Sequence, residues 1–321
     1  MIITCYLSLI QINLLAIMWK LCSLLVLSTI LLHCVSTKIS APAIDLSTID
    51  LPNGLPLYDN VYVDRTEISN INYKEYLHWT KRIFGRKSEE FQSALPDTLV
   101  WSNINPSLDQ LTNQYLGHFY FDDFPVVGVS HQQAIHFSTW RADRIMEGLL
   151  IEHFGYFNTS LQQTPKTYFT IERYFADELK LFRLNKNVKH FPVCRLPNED
   201  EWKIILQKHT TDIKATFEDC DSPECQDCIT HNYRYQVDIP AICNVETEIF
   251  PLSPVNIGCH TDSMITHVIG NVAEWSDTPG FTFGSSWRDK KNIARLNPND
   301  CTKSNAWTGF RNISYWKAVE E

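Results

Sequence analysis

Glycine is scarce in this chain, at 11 of 321 residues, and no segment repeats. Solenoids, collagen-like rods and flexible linker arrays are therefore excluded. Runs of Lys or Arg are also missing, and the formal net charge is −9. A nucleic-acid footprint needs clustered positive charge, so no nucleic-acid partner is expected. What remains is 44% hydrophobic and 20% charged, with 17 Phe, 13 Tyr and 9 Trp. That composition can bury a full core, and residues 61–321 read as one domain.

Charge is absent from most of residues 1–36, where Lys20 alone interrupts the apolar stretches Leu7 to Trp19 and Leu21 to Val35. With translation from Met18, Met18-Trp19-Lys20 is a short basic region ahead of the apolar run Leu21 to Leu32, as in a signal peptide. With translation from Met1, the segment is long enough for a membrane anchor. Either reading exports the chain. Leu31-Leu32-His33-Cys34 has the form of a degenerate bacterial lipobox, with Cys34 the acylated residue. Ordinary cleavage after Ser36 or Thr37 is the alternative. An acyl group would tether the domain to a membrane surface without spanning it.

Seven cysteines follow Cys34: Cys194, Cys220, Cys225, Cys228, Cys243, Cys259 and Cys301. In an exported protein the default reading is disulfides. A zinc site at Cys220, Cys225, Cys228 and Cys243, near His231, and free thiols are the alternatives. The odd number leaves at least one cysteine outside intrachain pairing.

Pro42, Pro52 and Pro56 among polar residues mark 37–60 as a linker. Val61–Asp64 alternates like a strand. Ser69 opens a helix with Tyr73, Tyr76, Leu77 and Thr80 on one face. Phe124–Val129 reads as a short buried strand running into Ser130-His131-Gln132-Gln133, a capping box that starts a helix to about Leu150. A further helix is expected near Phe169–Leu184. Asn198 and Glu201 form a second capping box, with its helix reaching about Lys208. After Trp275 only short extended pieces are expected. Asn158-Thr159-Ser160 and Asn312-Ile313-Ser314 are glycosylation sequons in form only.

The turn Gly270-Asn271-Val272-Ala273-Glu274-Trp275 sets carbonyls and one carboxylate around a permissive glycine, as sites for a hard cation do. The plain alternative is a tight loop with Glu274 solvated and Trp275 packed. Taken with other segments in order, this turn resembles a known family. Asp64-Arg65-Thr66-Glu67-Ile68-Ser69-Asn70 with Tyr73 is similar to the "TEVTNxxY" opening of the formylglycine-generating-enzyme (sulfatase-modifying-factor) domain. Pro125–Ser130 with Ala134 and Trp140 resembles its "PVVGVSWxxAxxYCxW", and Arg195–Trp202 resembles "RLPTEAEWE". Gly270–Trp275 resembles "GNVWEW"; Gly284–Trp287 and Gly309–Arg311 resemble "GGSW" and "GFR".

The resemblance implies a single α+β domain with a C-type-lectin-like core, rich in irregular structure and often bound to calcium. One family calcium site maps onto His267, Gly270, Val272 and Glu274. His267 replaces an asparagine there, and imidazole is a poor ligand for calcium. A second family site maps weakly onto Asn232 and Tyr233. The catalytic members carry two copper-binding cysteines after "GGSY", and those positions are Asp289 and Ala294 here. Neither residue replaces a thiolate, so copper is not expected. Charge-assisted bonds between Arg195 and Glu201 are expected to anchor the second capped helix.

Insertions at 85–120 and 141–194 with the lipobox resemble exported members of Bacteroidetes-type bacteria, including gliding-motility and secretion lipoproteins. The resemblance thus implies a tethered, non-catalytic component of the cell envelope, at the outer membrane, periplasm or cell surface, with envelope proteins as partners. A formylglycine-generating oxidoreductase acting on a protein cysteine, using Cys259 or Cys301, and a ligand-binding lectin-like module are the alternatives.

Overall fold

A computed structural model describes residues 45–52, 54–104, 108–156, 162–216, 252–257, 264–289 and 303–320. The chain opens with the strands β1 (Gly54–Tyr58) and β2 (Val61–Asp64), then the helices α1 (Asn70–Phe84), α2 (Glu89–Ala94), α3 (Leu111–Gln114), α4 (His131–Phe154) and α5 (Ile171–Phe175). Strand β3 (His190–Arg195) and helix α6 (Glu199–Thr216) follow. The C-terminal third supplies β4 (Ala273–Trp275), β5 (Thr282–Phe283), β6 (Thr308–Gly309) and β7 (Ile313–Ala318). The architecture is α+β.

One antiparallel sheet has the order β1-β2-β7-β3. The last strand of the chain therefore lies between two earlier ones, with Val63 and Arg195 both opposite Ile313. A smaller sheet, β5-β4-β6, pairs β4 with β6 in parallel. The larger sheet closes only when distant parts of the chain meet, Val61 lying opposite Tyr315, so local propensity alone cannot form it.

The helix starts follow their capping residues. Ser69 accepts from the Asn72 N–H, and Ser130 does the same for Gln133, each with a reciprocal bond to the cap. Asn198 and Glu201 exchange bonds of 2.9 and 2.8 Å. These satisfy N–H groups that have no partner within the helix. Tyr73, Tyr76, Leu77 and Thr80 are all buried, as their helical spacing predicts. Tyr73 stacks on Phe137 of α4 at 5.6 Å, which joins α1 to α4, and both rings meet Phe310 edge-on. Each such buried ring contributes about 1.5–3 kcal/mol from desolvation.

Four expectations are corrected. The linker over 37–60 is ordered fold from residue 45: Leu46 and Leu51 pack with Met146, Leu150 and Trp316, and β1 pairs with β2. Phe124–Val129 is buried but forms no strand. Its bonds go to separate segments, from Val126 N–H to Ile68, from Gly128 N–H to Asn305, and from Asp97 N–H to the Gly128 carbonyl. Gly128 has φ 75°, and a Cβ there would lie 2.3 Å from the Asp97 carbonyl oxygen, so the close crossing requires glycine. The helix near 169–184 shrinks to α5, because Asp177 turns into the left-handed region at φ 54°. Helix α6 runs to Thr216 rather than to about Lys208.

Among the described residues no helix is long and apolar enough to cross a membrane. Cys194 is a buried free thiol, pushed up to about 12 by burial; the other six late cysteines lie outside the described residues.

Helix α5 is pinned to α4 by Asp143, whose Oδ1 accepts from the Ile171 N–H at 2.8 Å. Burial pushes the Asp143 carboxyl up to about 6, against the opposing pull of that N–H and of Arg144. Because the folded value exceeds the ordinary 3.8, folding favours the protonated form. This contribution is complete below the unfolded value and is lost as pH rises through about 6. Asp143→Asn keeps the acceptor and cannot ionise. Urea unfolding across this range should show a falling stability in the parent and a flatter profile in the variant. Identical slopes would contradict the assignment.

Candidate functional site

The turn that ends in Trp275 is built from unusual backbone. His267, Gly270 and Asn271 all have positive φ, at 47°, 98° and 53°. Asn271 holds this shape by accepting from the Ser253 N–H at 3.0 Å and donating to the Ser253 carbonyl and to Glu67 Oε2, each at 3.2 Å. Trp275 is buried and donates its indole N–H to the Val129 carbonyl at 3.0 Å. The turn is thereby tied to the segment that leads into α4.

Glu274 sits at the centre with 1% of its side chain exposed, facing Arg311 at 0%. The Arg311 Nε–H lies 2.8 and 2.6 Å from the two carboxylate oxygens, and Nη2 reaches Oε1 at 2.5 Å. The remaining guanidinium donors go to the carbonyls of Asp64 (3.2 Å), Arg65 (3.3 Å) and Thr266 (2.9 Å). Glu67, fully buried, is the second carboxyl of this group. Burial pushes it well above the ordinary carboxylate range, and the charge of Glu274 adds to that push; Arg311 and the Asn271 bond oppose it. Burial raises Glu274 too, opposed by the charge of Arg311 and its bonds to both oxygens.

This geometry gives the side chains expected at the calcium site partners within the protein. The carboxylate of Glu274, the one strongly anionic donor of the set, is covered by a guanidinium, so a cation there would meet like charge. The His267 ring is turned to the Pro254 carbonyl at 3.1 Å; Gly270 and Val272 would contribute backbone carbonyls to such a site, on which the packing of the Val272 side chain has no bearing. Of His267, Gly270, Val272 and Glu274, the two with donor side chains, His267 and Glu274, thus bond to protein groups. Asn232, Tyr233 and Cys34 lie outside the described residues, as do Ala294, Cys259 and Cys301. Asp289 is described, and its Oδ2 accepts from the Ser286 N–H at 2.6 Å and its hydroxyl at 3.0 Å, closing a local turn.

Arg195 and Glu201 make the expected bidentate pair, at 2.7 and 2.6 Å. Burial would raise the Glu201 carboxyl, but the bonds from Arg195 and Asn198 overcome it and hold the value below the usual range. Tyr58 of β1 also donates to Glu201 at 2.9 Å, so the helix cap and the outer strand share one carboxylate.

A second polar group, which sequence reasoning missed, lies beneath a cleft between α1 and α4. Asp64 Oδ2 accepts from Arg141 Nη1 at 2.5 Å and from the Asn312 N–H at 2.9 Å. Asn312 donates in turn to the Ser138 hydroxyl at 2.6 Å and is fully buried, which removes its sequon from any surface. The cleft has a volume of about 690 Å³, within the ~300–1,000 Å³ typical of ligand sites. Phe137, Trp140, Arg141, Arg144, Gly148 and Glu152 line it from α4. Their i, i+3, i+4 spacing, the one signal available beforehand, places them on one helix face.

No protein-family model matches the chain, and no curated protein matches it. Among solved structures it is similar to the crystal structure of CarF, with a TM-score of 0.34 and 14% identity over 85% of this chain and 94% of that chain. A likeness at that level carries no argument.

Loss of the Glu274 charge leaves Arg311 buried and unpaired, which costs about 3–5 kcal/mol. Glu274→Gln should show this loss equally in calcium and in chelator, by denaturant unfolding. A cost that appears only with calcium present would restore the cation site.

Proposed function

We propose that this chain is an exported, membrane-tethered protein with a formylglycine-generating-enzyme-like domain of the C-type-lectin-like kind, acting as a non-catalytic binding or structural component of the cell envelope. The single observation that carries the reading concerns the signature residues and where they point. Glu274, Arg311, Glu201 and Arg195 all bond inside the protein, and Asp289 stands where the family's first copper thiolate would be, closed onto Ser286. The one described position that would present a copper thiolate in a catalytic member here closes a local turn, and the other signature residues hold segments together.

The ordered series of six motifs and the α+β arrangement support the same reading. The face left for a partner or ligand is the cleft between α1 and α4. Gliding-motility and secretion lipoproteins are the kind of protein whose layout this chain shares, with Cys34 as the tether.

Titration with Cu(I) under anaerobic conditions against a chromogenic chelator, followed by oxygen-uptake assays with a cysteine-containing peptide, tests the reading. The expected result is no stoichiometric Cu(I) binding and no oxygen consumption above the peptide-only control. One Cu(I) per chain, lost on Cys301→Ala and accompanied by oxygen uptake, would establish the oxidoreductase instead.

A further inference from the structure

The chain carries a net charge of −9, yet no acidic residue stands between Glu178 and Glu199. Lys180, Arg183, Lys186 and Lys189 fall at every third position of that stretch. The residue ahead of each, Leu179, Phe182, Asn185 and Val188, is buried or half-buried, whereas all four cations are exposed. They therefore stand together on the outward side of one segment. Its inward side is fastened. Phe182 stacks on Tyr156 at 5.4 Å, the Asn185 N–H donates to the Tyr174 hydroxyl at 3.0 Å, and the Val188 N–H closes a turn onto the Asn185 carbonyl at 3.0 Å. None of the four cations has an ion-pair partner among the described residues. The acidic side chains of the adjoining stretches are engaged elsewhere: Asp177 by the Leu184 N–H at 3.3 Å, Glu178 by Arg173 at 3.6 Å, and Asp45 by His190 at 3.2 Å.

Two further observations bear on what this face meets. Leu181, directly after Lys180, is 43% exposed, an apolar side chain set among the cations. The described chain also enters at this place: Asp45, its first described residue, lies against His190, which follows Lys189. Residues 35–44, ten in all, separate Cys34 from Asp45. Ten residues span at most about 35 Å when fully extended. A domain held on so short a tether presents the surface around its point of entry to the bilayer.

From this we infer that the face formed by Lys180, Leu181, Arg183, Lys186 and Lys189 docks on an anionic lipid surface, that of the bilayer carrying the tether; the inference rests on the reading of the protein as membrane-tethered. Basic side chains close to anionic headgroups are attracted to them, and the attraction falls off within a Debye length. Leu181 adds apolar burial at the headgroup boundary, as basic surfaces with an apolar component do. The tether makes the encounter intramolecular, so contacts too weak to hold a free domain suffice. An acidic polypeptide answers the four cations but is indifferent to Leu181 and to where the chain enters, which is why the observations favour lipid.

The test is lysine acetylation, read by mass spectrometry, on the full chain with vesicles of phosphatidylcholine or of phosphatidylcholine mixed with phosphatidylglycerol. Lys180, Lys186 and Lys189 should be labelled about twenty-fold more slowly on the anionic vesicles, and high salt should abolish that protection. Lys87, exposed between α1 and α2, should label alike on both. Arg183→Gln, an exposed substitution that leaves all three lysines in place, should cut the protection to about five-fold. Leu181→Ala should cut it to about ten-fold. Equal labelling on the two vesicles would overturn the inference. So would protection by soluble polyglutamate that matches the anionic vesicles and ignores Leu181→Ala, which would assign the face to an acidic polypeptide. Flotation reads the tether separately. A chain that floats with neutral vesicles yet labels equally on both sinks this inference alone. One that floats only with the anionic vesicles, its lysines protected, sinks the tether and supports the docking face; one that floats with neither sinks both.

Discussion

The guanidinium of Arg311 directs all five of its N–H donors at buried acceptors: the Glu274 carboxylate and the carbonyls of Asp64, Arg65 and Thr266. Those acceptors belong to the end of β2, the segment before the Gly270 turn, and β4. Arg311 itself stands between β6 and β7. One side chain thus locks the point where both sheets meet. The desolvation cost of such a pair is large, and its net stability against an apolar replacement is small. Its consequence is specificity of arrangement, since any other packing would leave a buried charge alone.

Much of the remaining structure follows from that lock. With Arg311 fixed on Asp64, Arg65 and Thr266, β7 lies between β2 and β3, and Asn312 is carried into the group of Asp64, Arg141 and Ser138. That group forms the floor of the cleft. The interior ion pair and the outward-facing cleft are therefore two sides of one strand junction. Glu67 completes the interior side as the second buried carboxyl beside Glu274 and Arg311.

The three helix starts were legible in the sequence because each rests on residues three apart. So was the buried face of α1, from its 3.6-residue period. The Arg195–Glu201 pair was visible for the same reason of proximity. Glu274 was singled out as a special residue, but its partner Arg311 was not foreseen. Its true partner is 37 positions away, and nothing in spacing distinguishes a cation from a distant arginine as the group facing a carboxylate. The Gly–Phe–Arg triplet at 309–311 held the clue, an arginine within apolar sequence. The cleft was invisible because its walls come from three separate stretches. The ordered start at Leu46 was hidden by prolines, which suit an extended edge as well as a linker.

The central claim is that Glu274 and Arg311 act as a single buried unit. A double-mutant cycle of Glu274→Met, Arg311→Met and the pair, measured by urea unfolding at neutral pH, tests it most directly. Each single change should cost about 3–5 kcal/mol, with the double variant costing clearly less than their sum, for a coupling of about 2 kcal/mol or more. Additive losses, with coupling below about 0.5 kcal/mol, would contradict the account and return Glu274 to some other partner.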